Sequence, residues 1–310
     1  MRTLSRQLQD YLKFRRQLGF KLDTEGRLLP SFVRLAKQQG ARFITTKLAL
    51  RWATTSPNTT QKTRACRLCM VRKFAEYLST VEPRTEVPAQ KLIPLKFCRQ
   101  EPYHYTDDQI RQLIGAARQI YPSHRIKGLT FSTLLGLLAV TGMRVGEALA
   151  LDSQDVDFTK GLLKIRRAKG NKSRLVPLHF STVQALQRYA SIRDGIYPHP
   201  ISQSFFVSEG SIRPRYNAVR EWFSIATCQV GLRQSDGRRG PRMHDLRHYF
   251  AIRTLLNWYR CDANVDARLP ELATFLGHSS VSNTYWYLSA VPELLELATR
   301  RWEQANKGGK

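Results

Sequence analysis

Four short stretches of the chain concentrate side chains that bind anions or move protons. In chain order they are 141–149 (TGMRVGEAL), 168–178 (AKGNKSRLVPL), 244–248 (HDLRH) and 276–278 (LGH), the last followed by 283–288 (NTYWYL). Guanidinium groups bind phosphate oxygens bidentately, and an imidazole titrates near neutral pH. Phosphodiester cleavage builds negative charge on the non-bridging, attacking and leaving oxygens, so it is a reaction that side chains of these types suit.

The charge of the chain indicates a polyanionic partner. Its 310 residues include 50 Lys+Arg against 24 Asp+Glu, which gives a net charge of +26 and a pI of about 10.4. Basic residues outnumber acidic ones both in residues 1–100 and in the remainder, as expected if both parts touch one polymer. An isolated basic amphipathic helix or polybasic tail, which would favour a membrane surface, does not stand out. Nucleic acid is therefore the better interpretation.

Composition also excludes several classes of protein. No stretch approaches the roughly 18 consecutive apolar residues of a membrane span, and the N-terminus has no apolar region typical of a secretory signal. An odd number of cysteines, five, favours a reducing compartment, so we expect a cytoplasmic, nucleoid-associated protein. Cys66 and Cys69 lie in an apolar helical stripe without a second pair, which favours core thiols over a zinc site. We expect neither a metal nor another cofactor.

The four stretches resemble the motifs of the tyrosine recombinases, a family that includes phage integrases, Xer-like recombinases and transposon-encoded relatives. The resemblance covers roughly residues 103–290, with the motifs in the family's order. It implies an enzyme that cuts and rejoins DNA through a 3′-phosphotyrosyl bond without metal or ATP. The catalytic set that it implies is Arg144, Lys169, His244, Arg247, His278 and Tyr287.

The resemblance also implies a role for each cation. Arg144 and Arg247 would clamp the scissile phosphate. Lys169 would protonate the departing 5′ oxygen, although Lys172 lies in the same predicted hairpin and is its main competitor. Glu147, one helical turn after Arg144, is either a support for that arginine or an ordinary helix carboxylate.

Two histidines would act on the same phosphate. His244 and Arg247 share one face of a predicted helix, because they are three residues apart. By the resemblance, His244 would accept the proton of the nucleophile. His278 would donate to a non-bridging oxygen or position the leaving group.

The choice of nucleophile falls between Tyr285 and Tyr287. On a helix these two positions lie about 200° apart, so only one can face the arginines. The family places its tyrosine nine residues after the histidine of Leu-Gly-His, which selects Tyr287 and leaves Tyr285 to packing. A phenol with a pKa of about 10 needs a base and nearby cations to attack at pH 7, and the implied site supplies both.

Other arginines are candidates for contacts with the DNA backbone. Residues 237–242, which lead into His244, hold three of them, and a predicted helix over 63–78 carries Arg64, Arg67, Arg72 and Lys73 largely outside its apolar stripe. That helix face is either solvated or turned to phosphate. With the competing lysine, the predicted DNA contacts are Arg64, Arg67, Lys172, Arg238, Arg239 and Arg242.

These motifs need a scaffold, and the patterning predicts a mainly α fold with a small antiparallel β-sheet. Residues 1–82 read as a helical N-terminal DNA-binding unit (a core-binding, SAM-like domain by the resemblance), 83–102 as a proline-containing extended linker, and 103–310 as the catalytic domain. Thr106 and Gln109 match a capping box that begins the first catalytic-domain helix.

Apolar periodicity predicts the elements of the larger domain. Helices are expected over 131–139, 145–151, 181–193, 215–229, 244–259, 269–276 and 291–305, and strands over 156–158, 162–166, 174–178 and, briefly, 205–207. Lys169 and Lys172 fall in the turn between the second and third strands. The last helix either closes the core of its own protomer or, by the resemblance, docks on a neighbouring one.

The leading hypothesis is a site-specific recombinase of a mobile element. Departures from the common pattern, among them Tyr249 and Trp286, favour a mobile-element subgroup over an Xer-type housekeeping role. The resemblance implies a clamp around duplex DNA and a homo-oligomer, with four protomers on two specific sites. The alternatives are a type IB topoisomerase, which shares the chemistry, and a catalytically silent architectural DNA-binding protein.

Overall fold

The computed structural model describes residues 3–94, 102–121, 125–166, 173–233, 240–261, 263–278, 280–289 and 292–307. The chain divides into two compact units, Met1–Arg99 and Gln100–Lys310. Over the described ranges the fold is mainly α with a three-stranded antiparallel sheet, which confirms the predicted fold class. None of the helices in these ranges is long and apolar enough to cross a membrane.

The N-terminal unit is a bundle of four helices. They are α1 (Leu4–Gln17), α2 (Asp23–Gln38), α3 (Thr46–Thr54) and α4 (Gln61–Ser79). Thr3, Thr45 and Thr60 cap α1, α3 and α4, each hydroxyl accepting a main-chain N–H of the first turn. The buried centre includes Tyr11, Phe32, Trp52 and Phe74.

The first part of the segment predicted as a linker is attached to this unit. The main-chain N–H of Glu86 donates to the carbonyl of Ile44 at 2.8 Å, and the Glu86 carboxylate accepts from the N–H of Thr46 at 2.8 Å. Arg72 donates to the carbonyls of Pro88 and Ala89, both at 2.7 Å. Residues 86–89 are therefore irregular but held by hydrogen bonds, because the bundle supplies donors and acceptors that the segment lacks within itself.

The larger unit carries nine helices and the sheet within its described ranges. The helices are α5 (Asp107–Gln119), α6 (Arg125–Thr141), α7 (Val145–Leu149), α8 (Phe180–Ile196), α9 (Tyr216–Gln229), α10 (Asp245–Arg260), α11 (Val265–Leu276), α12 (Ser282–Ser289) and α13 (Pro292–Lys307). The strands are β1 (Val156–Asp157), β2 (Leu162–Ile165) and β3 (Arg174–Pro177), in the order β1-β2-β3. The predicted capping box is confirmed, since Thr106 and Gln109 each accept the other's main-chain N–H.

The strand predicted over 205–207 is wrong. Phe205, Phe206 and Val207 are buried. The main chain pairs at an isolated bridge, Asp152↔Ser204, where the N–H of Phe205 donates to Leu151 O at 2.9 Å. Side-chain hydroxyls bind the residues that follow: Tyr189 Oη accepts from the N–H of Val207 at 3.1 Å, and Ser204 Oγ donates to the carbonyl of Phe206 at 2.7 Å. A short apolar run fits a strand or any other buried segment, so periodicity alone could not separate the two.

The last four helices form a second core beside the main one. Ala251, Leu255, Leu272, Tyr287 and Leu294 are buried together in it. At the edge of this core, α13 is tied down by two polar contacts. Arg260 pairs with Glu293 at 2.6 Å, and Arg301 donates to the carbonyl of Ala263 at 2.7 Å. In this single chain α13 therefore packs on its own unit, which is one of the two arrangements left open by the sequence.

Candidate active site

The end of α11 is the centre around which the predicted site residues gather. Gly277 adopts a left-handed conformation (φ 69°), and the N–H groups of Gly277 and His278 turn back to the carbonyls of Thr274 and Ala273, each at 2.9 Å. This termination satisfies two of the carbonyls that a helix end leaves without an intrahelical partner.

The next three carbonyls accept hydrogen bonds from three arginines of different parts of the chain. Phe275 O accepts from Arg174 Nε at 3.0 Å, Leu276 O from Arg247 Nη2 at 2.8 Å, and Gly277 O from Arg144 Nη2 at 3.0 Å. We call these three contacts the carbonyl ladder. The partial negative charge at a helix C-terminus favours cations at this position.

Glu147 joins two of the ladder arginines. Its carboxylate accepts from Arg144 Nη1 at 2.7 Å and from Arg174 at 3.1 and 2.8 Å, besides the main-chain N–H of Arg144 at 3.0 Å. Burial alone would raise the pKa of Glu147, but the hydrogen bonds from Arg174 and Arg144 outweigh it and lower that pKa. The structure thus makes Glu147 the carboxylate that orients Arg144 rather than an ordinary surface group.

Arg247 is the most deeply buried of the three arginines, with 2% of its surface exposed. Its second terminal nitrogen, Nη1, donates to the carbonyl of Gly142 at 2.9 Å. Burial, together with nearby Arg144, lowers the pKa of Arg247 to about 10, so the guanidinium remains charged at neutral pH. Three arginines beside one carboxylate leave a positive site that favours an anion.

Both predicted histidines border this positive cluster. His244 precedes the first turn of α10, and His278 follows the end of α11, where its Nδ1 lies 2.8 Å from the hydroxyl of buried Thr284. Burial and then the charge of Arg247 lower the pKa of His244, and the same causes with Arg144 lower that of His278 to about 4. Both imidazoles are therefore neutral at pH 7, a state in which one can accept a proton.

The two tyrosines of α12 lie on different sides of the helix. Tyr287 is 2% exposed, with its ring centroid 6.1 Å from that of His278, whereas Tyr285 is 49% exposed. Tyr287 also contacts the ring of His248 at 5.4 Å, and His248 in turn contacts His244 at 5.1 Å between ring centroids. Only Tyr287 of this pair is therefore in contact with the histidines of the site.

Two residues of the site, Arg174 and His248, were not predicted from the sequence. Arg174 lies inside the quoted stretch 168–178, but its partners Glu147 and Phe275 are 27 and 101 residues away, so local spacing gives no signal for it. His248 lies in the quoted stretch 244–248, but no role is predicted for it. Its position four residues after His244, on the same helix face, could have identified it.

Contacts away from the site hold its helices in place. Arg213 donates to the carbonyls of Leu149 and Leu151 and pairs with Asp152 at 2.5 Å, which fixes the end of the short helix α7. On α10, the hydroxyl of Tyr249 donates to Asp107 at 2.6 Å. The unusual Tyr249 thereby joins α10 to the beginning of α5.

The remaining predicted residues are scattered. Arg242 pairs with Asp245 at 3.0 Å, at the beginning of α10. Arg64 and Arg67 lie on α4 in the N-terminal unit. Lys169, Lys172, Arg238 and Arg239 lie outside the described residues. Among the residues that are described, no group of three or more His, Cys, Asp or Glu side chains could hold a metal ion.

Comparison with known proteins identifies the family. The model of the phage integrase family matches residues 104–293. The chain is 38% identical to a protein named integrase/recombinase y4rB of Sinorhizobium fredii, over 98% of both chains, and 31% identical to the tyrosine recombinase XerD of Rhizobium meliloti, over 75% of this chain and 71% of that one. The chain belongs to the phage integrase family, and it is a recombinase enzyme.

A solved structure shows the same fold. The integrase of transposon Tn1549, in complex with transposon right-end DNA, superposes with a TM-score of 0.65 over 96% of this chain and 98% of that one, at 17% identity.

Proposed function

We propose that this chain is a site-specific recombinase of a mobile element that cuts and rejoins duplex DNA through a 3′-phosphotyrosyl bond to Tyr287. The observation that carries the proposal is the position of Tyr287 against His278, which directly follows the carbonyl ladder of three arginines. The resemblance to y4rB over nearly the whole chain supports a recombinase. The transposon integrase of the same fold supports the mobile-element type.

In the proposed reaction, the Tyr287 oxygen attacks the phosphorus and the bond from phosphorus to the 5′ oxygen breaks. Neutral His244 takes the phenol proton, and Lys169 gives a proton to the 5′ oxygen as it leaves. Arg144 and Arg247 neutralise the non-bridging oxygens through N–H groups other than those donated to Glu147, Gly142 and the carbonyl ladder, since each guanidinium has five. Attack by the 5′ hydroxyl of a partner strand reverses these steps and releases the tyrosine.

Substitution of the two tyrosines tests the nucleophile. Tyr287→Phe should abolish covalent capture of DNA while retaining binding, because only the attacking oxygen is lost. Tyr285→Phe is the matched control and should leave cleavage largely intact, since Tyr285 is half exposed. Sequencing the DNA trapped on purified wild-type protein would give both the activity and the site. The reverse result, with Tyr285→Phe inactive, would move the nucleophile by two residues.

Experiments with the trapped DNA site also distinguish the proposed recombinase from the two alternatives. Strand exchange between two copies of the trapped site, assembled by four protomers, is expected of a recombinase. Relaxation of supercoiled plasmid by a monomer without strand exchange would instead identify a type IB topoisomerase. Failure of the wild-type protein to form any adduct on suicide substrates carrying its own site would identify a silent DNA-binding protein.

Among the predicted backbone contacts that the structure describes, Arg67 has the most suitable surroundings. Its guanidinium lies over the ring of Trp52 at 5.7 Å, in a groove of about 290 Å³ that is also lined by Arg34 and Ser31. Arg64, by contrast, donates to Pro57 O at 3.1 Å within its own unit. We therefore propose that Arg67, with Arg34, contacts a DNA phosphate.

A further inference from the structure

Arg174 occupies the first position of β3 and reaches two other parts of the unit. Its Nε donates to the carbonyl of Phe275, and Nη1 and Nη2 donate to the two oxygens of Glu147. The side chain is 12% exposed. All three nitrogens of one guanidinium are thus used on three separate acceptors.

We infer that Arg174 is a positioning residue for the proposed strand cleavage: it holds Glu147 against Arg144 and fixes the end of α11 that presents His278. The inference rests on the proposed function, because Arg174 is given its role by the reaction of Arg144 and His278. In this proposal Arg174 is a positioning residue and not a catalytic one, since Nε, Nη1 and Nη2 each donate to a protein acceptor and the reaction assigns it no contact with the phosphate.

The acceptors of Arg174 distinguish this role from that of a general salt bridge. Glu147 belongs to α7, the helix that follows Arg144 of the proposed phosphate clamp, and Phe275 lies three residues before His278. Without Arg174, Glu147 would retain only Arg144 as a charged partner, and Phe275 O would lose its contact in the carbonyl ladder. The loss of Arg174 would therefore act on Arg144 and on His278 together.

Only an arginine fits these acceptors. A lysine has its three N–H donors on one atom, whereas the planar guanidinium spreads its donors over three nitrogens. The space is also matched, because a Cβ added at Gly277 would lie 2.9 Å from Arg174 Nη1. A lysine would therefore preserve the charge at this position without preserving all the contacts.

Arg174 also connects the sheet to the arginine cluster. It is the first residue of β3, and β3 pairs with β2 from Ile165↔Arg174 onward. One end of the β2–β3 pair is thus joined through one side chain to Glu147 and α11.

The experiment compares Arg174→Gln and Arg174→Lys with a matched buried arginine. Arg193→Gln serves as the control, because Arg193 is also buried and donates to a carboxylate (Asp194) and a carbonyl (Phe205), both away from the site. Two quantities are measured: the pKa of His278 by NMR titration without DNA, and the single-turnover rate of adduct formation on a suicide substrate carrying the trapped site. Equilibrium binding of that substrate is measured alongside.

We expect Arg174→Gln to raise the pKa of His278, because a nearby positive charge is removed, and to slow adduct formation by about 100-fold, the cost of a small misplacement of reacting groups. Arg174→Lys should keep that pKa low and still slow adduct formation, by about tenfold. Binding should change less than about threefold in both, and Arg193→Gln should change neither the pKa nor the rate. The rates and pKa values are compared only for variants whose thermal unfolding remains cooperative. If Arg174→Gln does not fold, the rate of Arg174→Lys tests the inference.

If Arg174→Gln forms the adduct at the wild-type rate, the inference is overturned and the proposed function stays intact. Where Arg174→Gln does not fold, the same holds for Arg174→Lys. An equal slowing by Arg193→Gln would also overturn it, because the effect would then be one of general stability. If wild-type protein forms no adduct at all, the proposed function fails; the pKa of His278 then decides alone whether Arg174 orders this cluster.

Discussion

Thr284 contacts one of the two ring nitrogens of His278. Its hydroxyl lies 2.8 Å from Nδ1, and Thr284 itself is fully buried. When the hydroxyl donates to Nδ1, the proton of neutral His278 lies on Nε2, where it can be given to a non-bridging oxygen.

Removal of that hydroxyl should slow DNA cleavage without loss of the fold. Thr284→Val keeps the shape of the side chain but loses a hydrogen bond worth about 1 kcal/mol, so the adduct-formation rate should fall about five- to tenfold. Thr274→Val is the control, since the Thr274 hydroxyl bonds only to its own helix at Pro270. Equal rates for wild type and Thr284→Val would show that the tautomer is set by something else.

Stability should fall on mild acidification, before most carboxylates are protonated. In the unfolded chain a histidine takes up a proton below about pH 6.5, whereas the pKa of folded His278 is about 4. The unfolded state therefore binds more protons between these values, and the free energy of unfolding decreases as the pH falls through this window. Thermal melts of wild type and His278→Asn at pH 7 and pH 5 would measure it.

The decrease in melting temperature between pH 7 and pH 5 should be smaller in His278→Asn. His179→Asn, which changes an exposed histidine that caps α8, should show the wild-type decrease. A decrease of the same size in all three proteins would contradict the burial of a neutral imidazole at His278.

At the scale of elements, the end of α11 depends on one glycine. Gly277 has a positive φ, and an added Cβ would approach Arg174 Nη1 to 2.9 Å. Gly277→Ala should therefore destabilise the protein by about 1–2 kcal/mol and slow cleavage as well.

Gly195 provides the comparison for that substitution. It lies in α8 at a helical φ, and an added Cβ would meet nothing within 4 Å. Gly195→Ala should stabilise by about 0.5–1 kcal/mol. Urea titration of both glycine variants and of wild type would measure the free energies of unfolding. A Gly277→Ala variant as stable as wild type would mean that the carbonyl ladder can move to make room.

Local elements were predictable from the sequence where local rules decide them. The capping box at Thr106 and the β2–β3 pair follow from residues next to one another, and the step from His278 to Tyr287 selected the tyrosine that the structure buries. The role of Arg174 and the loss of the strand at 205–207 depend on partners distant in sequence, so no local pattern could reveal them.

At the scale of the whole molecule, the excess of basic residues should make DNA binding strongly dependent on salt. A protein with a net charge of +26 that neutralises many phosphates releases their counterions, so log Kd should rise steeply and linearly with log salt. Arg67→Gln should lower that slope by about 1 for all DNA sequences alike, as expected of a phosphate contact. Fluorescence anisotropy with duplex DNA, over roughly 50 to 300 mM salt, would measure the slope.

Arg84→Gln is the control for the same titration. Arg84 belongs to the same unit but pairs with Glu82 at 2.8 Å, so its loss should leave the slope unchanged. An unchanged slope for Arg67→Gln as well would remove Arg67 from the proposed DNA contacts.

The carbonyl ladder has a consequence for how this site would respond to multiple substitutions. Arg144, Arg174 and Arg247 bind three successive carbonyls of one helix end, and two of them share Glu147. The energies of Arg144 and Arg174 should not be additive, because both bind Glu147 and the loss of one changes the contacts of the other. In a double-mutant cycle, the coupling between Arg144 and Arg174 would be comparable to either single effect. These two arginines would then behave as one thermodynamic unit rather than as two separate contributions.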